Sequence, residues 1–225
     1  MKHIYVILSA TPTKIGRTIR LFTRSPFNHA SISLTEDLSK MYSFARYRAH
    51  NALVGGFVQE FPQRLTLGKD IDIQIKVFEL PVSEEQYNKI CKFVDSVRDD
   101  EDQCLYNSLA VLGYPFGLGT HTYKADVCTS FVVKALMHGE INLLETMLKS
   151  MTPNELDELL SPYLYYQGSL QNFHPAPANN EALVDYFFSR VSPVREAAQV
   201  AVHFGRLIYR VSRHRHSLLI RGLIY

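Results

Sequence analysis

A cysteine in the first turn of a helix and a histidine at the head of a strand are the two side chains of this sequence best suited to chemistry. Cys128 lies in DVCTSFVVKALMHGEI, where a polar approach over 121–126 turns into a helix. Phe131, Val132, Ala135 and Leu136 follow at spacings of three, four, seven and eight, which is one face of an amphipathic helix. A thiol in that first turn feels the positive end of the helix dipole and unpaired backbone N–H groups, so its thiolate is favoured. The thiolate is the form that attacks carbonyls. A base lies 99 residues upstream: His29, in SPFNHASISL. After the Ser25-Pro26 turn signal, His29, Ser31 and Ser33 face one way and Ala30, Ile32 and Leu34 the other, a half-buried strand. A strand histidine opposite a helix-start cysteine is the geometry of thiol hydrolases.

The elements that must hold these two groups are readable in outline. Strands are expected at Ile4–Leu8, at the His29 segment, and at Met41–Arg46, Phe57–Phe61 and Ile71–Leu80, with Asn51–Gly56 as a loop. The clearest helix runs from Ser83 to Arg98, where Ser83 and Gln86 form a capping-box signature ahead of an apolar stripe. Further helices are expected at Lys14–Phe22, Leu105–Leu112, Cys128 to about His138, Glu145–Met151, Pro153–Leu160 and Glu181–Val191, and from Pro193 onward. The segment 174–180, HPAPANN, reads as a linker. The expected organisation is thus a main domain over 1–173, the linker, and a basic amphipathic extension over 181–225.

Composition narrows the function classes. With 225 residues, 46% hydrophobic and 20% charged, the chain builds a full core. A net charge of +2 does not call for nucleic acid as a partner. Three cysteines, Cys91, Cys104 and Cys128, without paired spacing argue for reduced thiols and a cytoplasmic setting rather than a disulfide framework. The apolar run Ile4–Leu8 is too short for a signal-peptide core, and no run approaches the ~20 apolar residues of a membrane span. Cys91 belongs to an apolar helix stripe, and Cys104 follows an acidic run that raises its pKa. His29, His121 and Cys128 lack zinc-ligand spacing, so no metal and no cofactor is expected.

From Arg190 onward seven arginines accompany one acidic residue. Three readings fit this tail. It packs on its own domain or on a second subunit, it lies on a membrane surface with its apolar face buried, or it touches nucleic-acid phosphates. The first carries most weight and the last least.

With His29 and Cys128 in hand, the chain resembles the circularly permuted branch of the NlpC-type, papain-like cysteine hydrolases. The segments that carry the resemblance are IYVILSATPT, SPFNHASISL, MYSFAR, GGFVQE and VCTSFVVKAL, within residues 4–170. The histidine precedes the cysteine, as in the lecithin–retinol-acyltransferase-like relatives. The resemblance implies an α+β fold with an antiparallel sheet packed against the cysteine-bearing helix. It implies Cys128 as nucleophile, His29 as base, and a third polar residue on the next strand, where Ser43 falls. The expected activity is hydrolysis of an amide bond in a small peptide or amino-acid derivative. A lipid acyltransferase or thioesterase acting on an acyl substrate, and a binding module without turnover, are the alternatives.

Overall fold

The computed structural model describes residues 1–13, 16, 25–113, 122–141 and 151–222. Its frame is a six-stranded antiparallel sheet in the order β4-β3-β2-β1-β5-β8. The strands are β1 (Lys2–Ser9), β2 (His29–Ser33), β3 (Met41–Arg48), β4 (Asn51–Glu60), β5 (Gln74–Val82) and β8 (Leu164–Ser169). A two-stranded parallel piece joins β6 (Leu105–Tyr106) to β7 (Ala125–Asp126). The helices are α1 (Pro62–Thr66), α2 (Glu84–Asp99), α3 (Ser108–Gly113), α4 (Cys128–His138), α5 (Pro153–Leu160), α6 (Leu170–Phe173), α7 (Glu181–Phe188) and α8 (Pro193–Gly222). The architecture is mixed α+β, as the sequence leads one to expect.

Side-chain alternation divides the sheet into two faces. Ile4, Val6 and Leu8 of β1, Ala30 and Ile32 of β2, and Phe44 and Phe57 face helices α2 and α4 and form the larger core with Ile90, Val94, Phe131 and Leu136. Tyr5, Ile7, Met41, Ile75 and Val77 build a smaller core on the opposite face with Leu65 and Leu170. Phe131 fixes α4 to the sheet: its ring lies 5.4 Å from that of Phe44, 5.5 Å from Phe57 and 5.9 Å from Phe93. Burying so large a side chain is worth roughly 3–5 kcal/mol against alanine. The position of Cys128, three residues earlier on the same helix, inherits that rigidity.

Several elements differ from the sequence expectation, each for a definable reason. Asn51–Gly56 is strand rather than loop, because β3 and β4 pair from Met41↔Glu60 to Arg48↔Asn51. Gly56 sits in that strand where a side chain would meet the Cys104 carbonyl and the Tyr47 hydroxyl, so it serves a close approach and not a turn. Ile71–Ile73 lies outside β5, whose pairing begins at Gln74↔Ser169 and Ile75↔Ser9; alternation without a partner makes no strand. Leu105–Leu112 splits. Leu105 and Tyr106 pair with β7, and the Asn107 carboxamide accepts from the Ala110 N–H at 3.0 Å, so the helix starts at Ser108. The helix expected over Glu181–Val191 ends at Phe188. Strand β8 was not anticipated. The capping box at Ser83 and a second one at Thr152 are both formed. The helices expected at Lys14–Phe22 and Glu145–Met151 fall outside the described residues, apart from Gly16 and Met151.

The C-terminal extension packs on the rest of the chain. In 174–180 the Ala176 N–H donates to the Asp37 carbonyl at 2.7 Å. Phe187 is buried against Phe61, and Leu207 joins Leu105 and Ala125 in a third small core. His203 bonds the Tyr106 carbonyl at 3.0 Å, and Arg210 donates to the Lys124 carbonyl at 2.8 Å. Helix α8 thereby braces β6 and β7, the segments that lead to Cys128. Among the described residues no helix is long and apolar enough to cross a membrane.

Candidate functional site

Strands β2 and β3 part company before they reach His29. They pair at Ser33↔Met41 and Ile32↔Tyr42, and no further. Ala30 consequently presents an unpaired carbonyl and N–H toward β3. The carbonyl accepts from the Ser43 hydroxyl at 2.7 Å, and the N–H acts on Cys128, favouring its thiolate. The gap between the two strands is the seat of the thiol. Helix α4 delivers it there: Val127 is the N-cap and provides no capping side chain, so the first N–H groups face the sulfur's surroundings. The Thr129 N–H favours the thiolate in the same sense.

His29 and Cys128 come together, and each changes the other's proton affinity. Burial opposes charge on the thiol, but the hydrogen bond and the positive charge of His29 outweigh it and lower its pKa. Burial likewise opposes the imidazolium, and the hydrogen bonds to Cys128 and Glu60 reverse it and raise the His29 pKa. Both directions favour a thiolate–imidazolium pair. Cys128 is 8% exposed, so the pair sits in a low-dielectric setting where such interactions are strong.

The third group at the imidazole is Glu60, and the assignment of Ser43 is corrected. Glu60 Oε1 lies 2.9 Å from His29 Nε2. Ser43 shares the sheet face of His29 but spends its hydroxyl on the Ala30 carbonyl. Ser31 Oγ stands 3.4 Å from His29 Nε2, a weaker contact. Glu60 keeps its charge although it is only 3% exposed, because Arg64 Nε donates to Oε2 at 3.0 Å. Burial pushes the Glu60 carboxyl up, and Arg64 with His29 pulls it below the usual range. Arg64 is itself buried, stacked 4.2 Å from the Phe187 ring centroid and bonded to the Arg46 carbonyl. The chain Cys128–His29–Glu60–Arg64 thus alternates in charge and leaves no carboxylate oxygen unpartnered.

Sequence reasoning passed over Glu60 although GGFVQE was among its segments. One signal was available: Glu60 and Arg64 stand four apart around Phe61-Pro62, an opposite-charge pair at helical spacing. His121 lies outside the described residues. Among the described residues no three histidine, cysteine or acidic side chains gather as metal ligands.

Beside the imidazole opens a cavity of about 70 Å³. Its walls include His29, Asn28, Arg46, Glu60 and Tyr106. Burial and the nearby Cys128 charge raise the Tyr106 pKa, so its phenol remains a hydrogen-bond donor.

No protein-family model matches the chain, and neither a curated protein nor a solved structure does so.

Proposed function

We propose that this protein is a cysteine hydrolase of the permuted papain-like kind that cleaves an amide bond in a small peptide or amino-acid derivative. One observation carries the reading: a thiol whose pKa is lowered by an imidazole that is itself held by a buried, ionised glutamate. A structural cysteine requires no such series of partners.

In this reading the Cys128 thiolate attacks the substrate carbonyl and a C–S bond forms. The oxyanion is received by the Cys128 N–H at the start of α4 and by the Tyr106 phenol. The His29 imidazolium gives its proton to the leaving nitrogen as the C–N bond breaks. The neutral imidazole then takes a proton from water, which attacks the thioester and releases the acid and the thiol. Glu60 touches no reacting atom; it fixes the ring orientation and favours the imidazolium. A small cavity edged by charged side chains supports a compact polar substrate over a long acyl chain.

The test is alkylation by iodoacetamide between pH 5 and 9, with the modified cysteine identified by peptide mapping. Cys128 is expected to react fast below neutral pH, and His29→Gln to abolish that advantage. A Cys128 that labels no faster in the folded protein than in the unfolded chain overturns the reading.

A further inference from the structure

Two arginines adjoin the cavity, and their situations differ. Arg64 is neutralised by Glu60. Arg46, on β3, is half-buried, and its side chain bonds only the Ala49 carbonyl, at 3.3 Å. Among the described residues no carboxylate pairs with it. Burial lowers its proton affinity more than the charge of the more distant Glu60 raises it, so its charge is only partly offset within the protein. A second wall of the same cavity carries an unmet acceptor. Asn28 is 6% exposed and gives its Nδ2 to the Thr11 carbonyl at 3.1 Å, while its Oδ1 has no partner. An unpaired cation and an unpaired acceptor beside one small space define a complementary ligand: an anion adjoining an N–H donor.

The placement says which part of the substrate this is. The cavity abuts His29, the proton donor to the departing nitrogen. What fills the cavity therefore belongs to the leaving group. We propose that Arg46, with Asn28, forms a carboxylate subsite that selects acyl amino acids and short peptides with a free carboxylate on the leaving side. The inference rests on the hydrolase reading above and names its substrate class. On cleavage the scissile nitrogen takes the His29 proton, and the amino acid departs with its carboxylate still opposite Arg46. At about 70 Å³, the space suits a small residue rather than a long chain.

Two alkylating agents of similar size separate this inference from the reading it rests on. Iodoacetamide is neutral and reports the thiolate; iodoacetate carries the carboxylate. The native protein is expected to prefer iodoacetate at Cys128, relative to the ratio for a free thiol at the same pH. Arg46→Gln is expected to cut the iodoacetate rate about tenfold and leave the iodoacetamide rate unchanged. Arg46→Lys, which keeps the charge, retains most of the preference. Melting curves of both variants establish that they fold. Fast iodoacetamide labelling with no iodoacetate preference, or a preference that survives Arg46→Gln, overturns the subsite and leaves the thiolate standing. Slow labelling by both agents removes the hydrolase reading and the subsite with it. The salt dependence of the iodoacetate rate is a further check: it falls with ionic strength in the native protein and less so in Arg46→Gln.

Discussion

Cys104 and Cys128 are equally hidden, at 5% and 8% exposure, and chemically opposite. Burial, with Asp100 and Asp126 nearby, pushes the Cys104 thiol up to about 11. Its neighbour is a carbonyl, that of Val97, 3.9 Å away. Cys128 suffers the same loss of solvent, yet an imidazole and two backbone N–H groups bring its pKa down. Burial alone makes a thiol inert; burial next to a cation and directed donors makes it an anion. The difference lies in which partners the fold brings to each sulfur.

The sharpest way to break this comparison is to exchange the sulfurs' fates. Cys128→Ala is expected to lower turnover of an amide substrate by about 10³-fold or more. Cys104→Ser is expected to leave it unchanged, and steady-state rates on both variants decide. Next in size, His29→Gln should turn Cys128 into a second Cys104. With the imidazole gone, burial outweighs the two backbone N–H groups, and the inflection of its alkylation rate moves from below the free-thiol value of about 8.5 to above it. The accompanying loss in turnover is about 10²- to 10⁴-fold.

Glu60→Gln sharpens the comparison by leaving the imidazole in place and removing its anchor. A loss of about 10²-fold in turnover is expected, with the thiol inflection displaced upward. The same variant tests linkage. The folded-state pKa of Glu60 is lowered, so its contribution to stability is fully present above about pH 4.3 and is lost as pH falls through the folded value. Urea midpoints measured from pH 7 down to pH 3 should therefore fall less steeply in Glu60→Gln than in the parent. Glutamine is preferable to alanine here: both leave the Arg64 charge uncompensated, at a cost of roughly 3–5 kcal/mol, but the carboxamide oxygen still offers that guanidinium an acceptor. Smallest of all, Ser43→Ala should cost about 1–2 kcal/mol by orphaning the Ala30 carbonyl, with turnover unchanged. A large loss of turnover in a stably folded Ser43→Ala would restore serine to the site.

What could be read from the residues follows a clear division. Local signals survived contact with the structure: the capping boxes at Ser83 and Thr152, the alternation through His29–Ser33, and the start of a helix at Cys128. Signals that depend on a partner did not. The Gly55-Gly56 pair looks like a turn until β3 is laid beside it, and Ile71–Ile73 looks like a strand until no neighbour is found for it. Ser43 was placed on the right strand and the right face, and still spends its hydroxyl on a carbonyl. Its fate was decided by the early parting of β2 and β3, which no period of two in the sequence reveals.

By itself the sequence singled out the cysteine and the histidine that meet and the local conformations that present them, because helix-start and strand-alternation preferences act over a handful of residues. Only the tertiary structure decided which carboxylate meets the histidine, which arginine that carboxylate pairs with, and which arginine at the cavity has no carboxylate bonded to it among the described residues. Those choices are made by charges far apart in the chain that must be desolvated together, and the cost of burying each depends on every other group that arrives.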